Sequence, residues 1–168
     1  MPTDVSQHLL DAQSEFVRRV GKDWALVTAG TEADGWNTMT IGWGSAGVLW
    51  SRPVVTVYVH PRRHTHQFLL DNDRFTVQLF DNEHKRDLGI LGSKSGRDGD
   101  EVALTSLTPR AIEGGMTFEQ ATITLVCKKL YTHRMVLDEV PATVREQLSG
   151  LYAEEAHTVF VGELVDVR

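Results

Sequence analysis

Along the first two dozen residues the apolar positions recur with the period of a helix. Leu9, Leu10, Gln13, Phe16, Val17 and Val20 share one side, and Gly21 comes after them as a stop signal. This spacing predicts an amphipathic helix over 6–20. The pattern then changes to short apolar runs. Residues 24–31 (WALVTAGT) are bounded by Gly30 and the polar EADG, and the apolar character resumes over 39–43, which predicts a strand, a turn and a second strand. Residues 54–59 (VVTVYV) are almost all β-formers behind Pro53, and over 75–80 Phe75, Val77 and Leu79 share a face. Over 122–130, Ile123, Leu125 and Cys127 alternate with Thr122, Thr124 and Lys128, and over 158–167 Val159, Val161, Val165 and Val167 fall on one side. Two further strands are expected there. Shorter helices are expected over 65–71, 84–91 and 142–153, the last from a stripe of Val144, Leu148, Leu151 and Tyr152 behind Pro141.

Strands therefore dominate, and they do not alternate regularly with long crossover helices. An antiparallel β-barrel with peripheral helices is expected, mainly β, rather than a doubly wound parallel sheet. A length of 168 residues fits one domain spanning 1–168, and no internal repeat or linker is visible. With 41% apolar and 24% charged residues and no long apolar run, the composition excludes a helical membrane protein and a disordered chain. The lone Cys127 cannot form an internal disulfide and the opening MPTDVSQHLL lacks the form of a secretion signal, so a cytoplasmic location is expected. A net charge of −6 disfavours nucleic acid as a partner, while a small anion remains possible where positive charge is local.

Several motifs suggest chemistry, with unequal support. Gly42, Gly44 and Gly47 spell GxGxxG, but the next residues, Val48 to Pro53, do not start a helix, so bulges or bends in a barrel explain the glycines better than a dinucleotide site. Gly92, Ser93, Lys94 and Ser95 do not complete a P-loop, and the polar segment 92–101 is either a functional loop or a mobile one. A metal at His60, His64 and His66 is disfavoured by Arg62 and Arg63 between them. A Cys127–His133 nucleophile pair is disfavoured because Cys127 falls on the inward face of a strand. The segment VVTVYVHPRRHTHQF is more informative, because a strong strand runs through Arg62 and Arg63 into a short helix at Thr65. Either Thr65 caps a helix start that, with both arginines, binds a phosphate, or it caps the helix alone and the arginines are solvated. WNTMTIGWG offers a second pair of alternatives. Asn37, Thr38, Met39 and Thr40 in a turn supply amide, hydroxyl and thioether groups suited to a conjugated ring, or they bond only to their own backbone.

Taken together, WALVTAGT, NTMTIGWGSAGVLWSRP, VYVHPRRHT with Phe68, GSKSGRD and the late HTVFVGEL resemble the flavin reductase-like family of FMN-binding split barrels, in its flavoredoxin-type branch. The resemblance covers most of the chain. It implies a split antiparallel β-barrel, a homodimer, and FMN held near the subunit interface. By position it implies that Asn37, Thr38, Met39 and Thr40 line the isoalloxazine ring with Trp43 close by, that Arg63 and Thr65 hold the phosphate, and that Ser93 and Lys94 reach the ribityl phosphate. His60 stands where relatives often have Arg, and Arg62 and His64 also depart from the pattern; a phosphate contact from His60 would make FMN bind more tightly below its pKa. The implied activity is NAD(P)H-dependent flavin oxidoreduction, in which the flavin carries the chemistry and no protein acid or base is named. The alternatives are a non-enzymatic FMN electron carrier serving protein partners and a barrel that binds no flavin. The choice between NADH and NADPH, the final acceptor, and whether FMN is a prosthetic group or a substrate are not written in these residues.

Overall fold

The computed structural model describes residues 5–97 and 99–168. Residues 1–4 of the opening segment and Asp98 of the GSKSGRD landmark lie outside the described residues. The chain runs α1 (Gln7–Asp23), β1 (Ala25–Thr31), β2 (Gly35–Ile41), β3 (Gly44–Leu49), β4 (Arg52–Val59), α2 (His64–Asp71), β5 (Arg74–Leu79) and α3 (Lys85–Ser93). Next come β6 (Pro109–Ile112), β7 (Gly115–Phe118), β8 (Ile123–Arg134), α4 (Ala142–Arg145), α5 (Leu151–Glu154) and β9 (Thr158–Val167). Seven strands form one antiparallel sheet in the order β2-β1-β5-β8-β9-β4-β3, and β6 and β7 form a separate hairpin.

The two edges of this sheet, β2 and β3, are consecutive in sequence and do not pair with each other. The sheet nevertheless curls round a single core in which Met39 and Ile41 of β2, Val57 of β4, Phe75 of β5 and Phe160 of β9 pack with Phe16 of α1. The result is a mainly-β antiparallel barrel left open along one seam, with helices at its periphery. Helix α1 is pinned beside that seam, because the buried Gln13 amide donates to Gly47 O and Val54 O, each at 2.8 Å. A side chain at Gly44 would stand 2.5 Å from the Phe16 ring, so the second glycine of the GxGxxG pattern lets a helix seat on a strand. A second apolar cluster lies outside the sheet, where α3 and β7 bring Leu88, Leu91 and Phe118 against Leu26 of β1. Among the described residues no helix is long and apolar enough to cross a membrane.

Several expectations are corrected. Helix α1 does not stop at Gly21 but runs on to Asp23, since burial of Phe16 and Val20 outweighs the modest cost of one helical glycine. Asn37 to Thr40 lie within strand β2, not in a turn before it. The core side of β9 is carried by Phe160 and Leu164, while Val165 is exposed. A bulge between Val126 and Cys127 then shifts the register and returns Val167 to the core. The helix expected over 142–153 is broken in two near Gly150, whose φ of 57° lies in the left-handed region. Of the polar segment 92–101, Gly92 and Ser93 belong to α3 and Glu101 is buried. Strand β3 and the β6–β7 hairpin had no distinct signal in the sequence.

Candidate functional site

A cavity of about 670 Å³ opens at the seam, between the edge strand β2, the start of α2 and the end of α3. Because β2 pairs only with β1, alternate peptide groups along it face away from the sheet and can bond a ligand, although the Asn37 amide already donates to one β2 carbonyl, Thr38 O, at 3.2 Å. Strand alternation divides the side chains that the NTMT motif supplies. Met39 turns into the barrel core. Thr38 turns the other way, its hydroxyl lying 2.8 Å from that of Thr28 and bonding Val27 O at 3.2 Å. The Thr40 hydroxyl donates to Leu88 O at 2.6 Å. Both threonine hydroxyls have partners in the outer layer, while Thr38 still borders this cavity and Thr40 a smaller neighbouring one, beside Asn37, Met39 and the strand's peptide groups.

The other end of the cavity is the anion-binding candidate. Helix α2 begins at His64 with Arg63 at the N-cap, and no side chain caps it. Thr65 is therefore not the cap expected of it, because it already sits inside the first turn. Its buried hydroxyl instead accepts a 2.9 Å bond from the Asn37 amide, which ties the two sequence motifs together and leaves the hydroxyl proton for a ligand. Arg63 lines the cavity while its guanidinium donates to Gly92 O at 2.9 Å and Leu91 O at 3.3 Å, neutralising the C-terminal end of α3. Three of its five N–H groups remain for other acceptors. Arg62 also lines the cavity, but it pairs with Glu154 at 3.1 Å and lies 3.6 Å from Glu155, so its charge is partly offset. Ser93 and Lys94 reach the same cavity from the end of α3; the Ser93 hydroxyl bonds its own helix at Ile90 O, 3.2 Å away. The loop beyond them is folded against the site, since a side chain at Gly96 would stand 3.2 Å from the His64 ring.

Trp43 is not in this cavity. It borders a neighbouring one of about 180 Å³ that shares Met39 and Arg63 with the first. There its ring meets Tyr152 and His157 edge-on, with centroids 5.7 and 5.6 Å apart. His60 belongs to this second wall and not to the anion end. It is 3% exposed, and its Nδ1 accepts the Arg62 N–H at 3.2 Å, so the fold does not provide a direct phosphate contact from His60. Burial, then the neighbouring His60, hold the His157 imidazole below its ordinary pKa. Tyr152 and His157 escaped sequence reasoning as site residues. In the sequence, Tyr152 reads as one residue of a helical stripe, and His157 only as the first residue of the HTVFVGEL landmark.

The remaining candidates separate in space. His64 packs edge-on against Phe68 and His66 pairs with the Thr158 hydroxyl at 2.8 Å, so the three histidines of the HPRRHTH segment face different surroundings. Cys127 is fully buried and its thiol is pushed far up by desolvation, while His133 stacks on Tyr131.

A family model described as flavin reductase like domain matches residues 17–168. Among solved structures, the fold is similar to an FMN-binding protein from Thermus thermophilus with bound 1-cyclohex-2-enone, at 24% identity and a TM-score of 0.66 over 86% of this chain and 68% of that one. It is similar to flavoredoxin of Desulfovibrio vulgaris (Miyazaki F), at 20% identity and a TM-score of 0.65 over 86% and 68%. It is also similar to the styrene monooxygenase flavin reductase of Pseudomonas putida S12, at 19% identity and a TM-score of 0.60 over 86% and 77%. No curated protein sequence matches the chain.

Proposed function

Because the chain belongs to the flavin reductase like domain family, we propose that it binds FMN and acts as an NAD(P)H-dependent flavin oxidoreductase. The observation that carries this reading is the make-up of the seam cavity. One wall is an unpaired strand edge with Met39, and the far end joins a helix start to Arg63 and Lys94. Its volume of about 670 Å³ falls among ordinary cofactor sites. The donor set fits FMN: strand-edge peptides for the polar rim of the ring, and a helix start with cations for a dianionic phosphate. When bound, FMN supplies the hydride chemistry. The chain's own groups place it. Asn37 fixes Thr65, the α3 carbonyls fix Arg63, and the apolar core beneath Met39 keeps water from that side. The FMN-binding neighbour from Thermus thermophilus and the flavin reductase from Pseudomonas putida support the same reading.

The test is anaerobic mixing of FMN-loaded protein with NADH and with NADPH while the visible flavin band is followed. Rapid bleaching supports the reductase. The similarity to a flavoredoxin favours a second reading, an electron carrier, and bleaching only by a reduced protein partner would establish that instead. We further propose a homodimer, supported by the exposed Val48 on edge strand β3 and Trp50 in the turn after it, which are 63% and 66% exposed.

A further inference from the structure

The connection between β8 and β9, residues 135–157, runs over the barrel surface as a strap. Its two ends meet where Met135 N donates to His157 O at 3.0 Å, and within it bonds such as Arg145 N to Pro141 O and Leu148 N to Arg145 O are local. Residues 141–147 are all exposed. Val144, Leu148 and Tyr152 of the strap line, with Trp43 and Tyr58 of the barrel, an apolar cavity of about 330 Å³. Helical turns as short as α4 and α5 do not hold themselves, so the strap's place depends on what fastens it.

The fastening includes a cluster of charges. Glu154 accepts a bond from Arg62 Nη2 at 3.1 Å, and Glu155 accepts one from Arg134 Nη2. Glu155 also lies 3.6 Å from Arg62 Nε and 4.0 Å from His60 Nε2. Arg62 has a second neighbourhood, because it lines the seam cavity at the anion end. Its backbone is fixed, since the N–H donates to His60 Nδ1 at 3.2 Å and the carbonyl accepts from Arg97 at 3.1 Å. Its side chain is 54% exposed and has room to turn.

We propose that Glu154 and Glu155 compete with phosphate for Arg62: a phosphate group at the anion end draws the guanidinium away from the two carboxylates, and binding there loosens the strap. Three observations carry this. Arg62 borders both places. The Arg62–Glu154 pair is exposed on both sides, so it contributes little and is exchanged at small cost. A phosphate dianion offers the guanidinium fork more charge and more acceptor oxygens than one carboxylate does. Arg134 stays on Glu155, so the strap is loosened and not cast off. Such coupling is reciprocal: the factor by which the carboxylates weaken phosphate binding is the factor by which phosphate weakens closure of the strap. The inference deepens the flavin reading by giving its phosphate end a control, and it rests on that reading only for the identity of the phosphate compound.

The experiment compares Kd values for FMN and riboflavin, from quenching of flavin fluorescence, in the unmodified chain, Glu154→Gln, Arg62→Gln and the double variant. Glu154→Gln is expected to tighten FMN about two- to fivefold and leave riboflavin unchanged, and the gain should vanish in the Arg62→Gln background. A strap that acts only by packing would move both flavins alike, and a carboxylate that acts only by distant repulsion would keep its effect without Arg62. Amide hydrogen exchange over 141–154 gives the reciprocal reading. FMN should speed exchange there about two- to fivefold relative to riboflavin, and Glu154→Gln should speed it by a similar factor with no ligand added. FMN affinity unmoved in Glu154→Gln, equal effects on both flavins, a gain that survives Arg62→Gln, or strap exchange indifferent to FMN overturns the proposal. Should neither flavin bind, inorganic pyrophosphate replaces FMN in the exchange measurement. Faster strap exchange that Arg62→Gln abolishes would then sink the flavin reading alone, and any other result overturns the proposal as well.

Discussion

Replacing Arg63 with alanine should separate the anchoring of phosphate from the anchoring of the fold. The guanidinium makes bonds of 2.9 and 3.3 Å to Gly92 O and Leu91 O at the end of α3, and the same group lines the seam cavity beside Thr65. Losing the two carbonyl contacts and the cation at a helix C-terminus should lower unfolding stability by about 1.5–3 kcal/mol. Losing one charge-assisted contact to phosphate should separately weaken FMN by about 1.5–3 kcal/mol, or about 10- to 150-fold in Kd. Riboflavin lacks the phosphate and reports which loss is being seen. Quenching of flavin fluorescence on titration with FMN and with riboflavin, for the unmodified chain, Arg63→Ala and Arg63→Lys, gives the ratio needed. The FMN preference should collapse in Arg63→Ala, and Arg63→Lys should retain part of it, since a lysine keeps the charge without the forked geometry. An unchanged FMN-to-riboflavin ratio in Arg63→Ala would refute the assignment and leave the arginine as a brace for α3.

Asp87 is held below the usual carboxylate range, because bonds from Ser106 and His84 outweigh the burial that opposes its charge. A lowered folded pKa stabilises above the unfolded value and is lost as pH falls through the folded one, so unfolding free energies from urea titration of the unmodified chain and Asp87→Asn should differ at neutral pH by about 1–3 kcal/mol and converge as pH falls below about 4. Gly162→Ala would place a methyl 2.6 Å from the Phe75 ring and 2.7 Å from Cys127 Cβ, and thermal unfolding should show a loss of about 1–3 kcal/mol. Cys127, fully buried with its thiol pushed far up, should be inert to a thiol reagent in the native protein and react in urea. Trp50→Lys, at a position 66% exposed, should shift light-scattering mass toward the monomer without altering the circular dichroism.

The parts of the fold that were legible share one property: burial on one face writes a period into the chain. Phe75, Val77 and Leu79 of β5 and the alternation through Leu125 and Cys127 of β8 are core positions, and their strands lie where the pattern placed them. Strand β3 was hidden because glycine and alanine at Gly44, Ala46 and Gly47 carry little periodic signal, and its form answers to Phe16 of a distant helix. The β9 face was misjudged because a register shift after Val126 is a tertiary event that local alternation does not encode. At the site, the WNTMTIGWG and VVTVYVHPRRHTHQF motifs converge through the Asn37–Thr65 bond. The protein partners of the Thr38 and Thr40 hydroxyls, Val27 O and Leu88 O, did not follow from residue type, because they lie far off in sequence. The surroundings of His60 were equally invisible, since they depend on Tyr152 and Glu155 arriving from the other end of the chain.

The most direct test is calorimetric titration of flavin-free protein with FMN at two salt concentrations. One FMN should be taken up per chain, with an affinity that weakens as salt rises because Arg63 and Lys94 line the cavity end proposed for the phosphate. A titration with no heat beyond dilution, in protein shown to be folded, would contradict the account at its root.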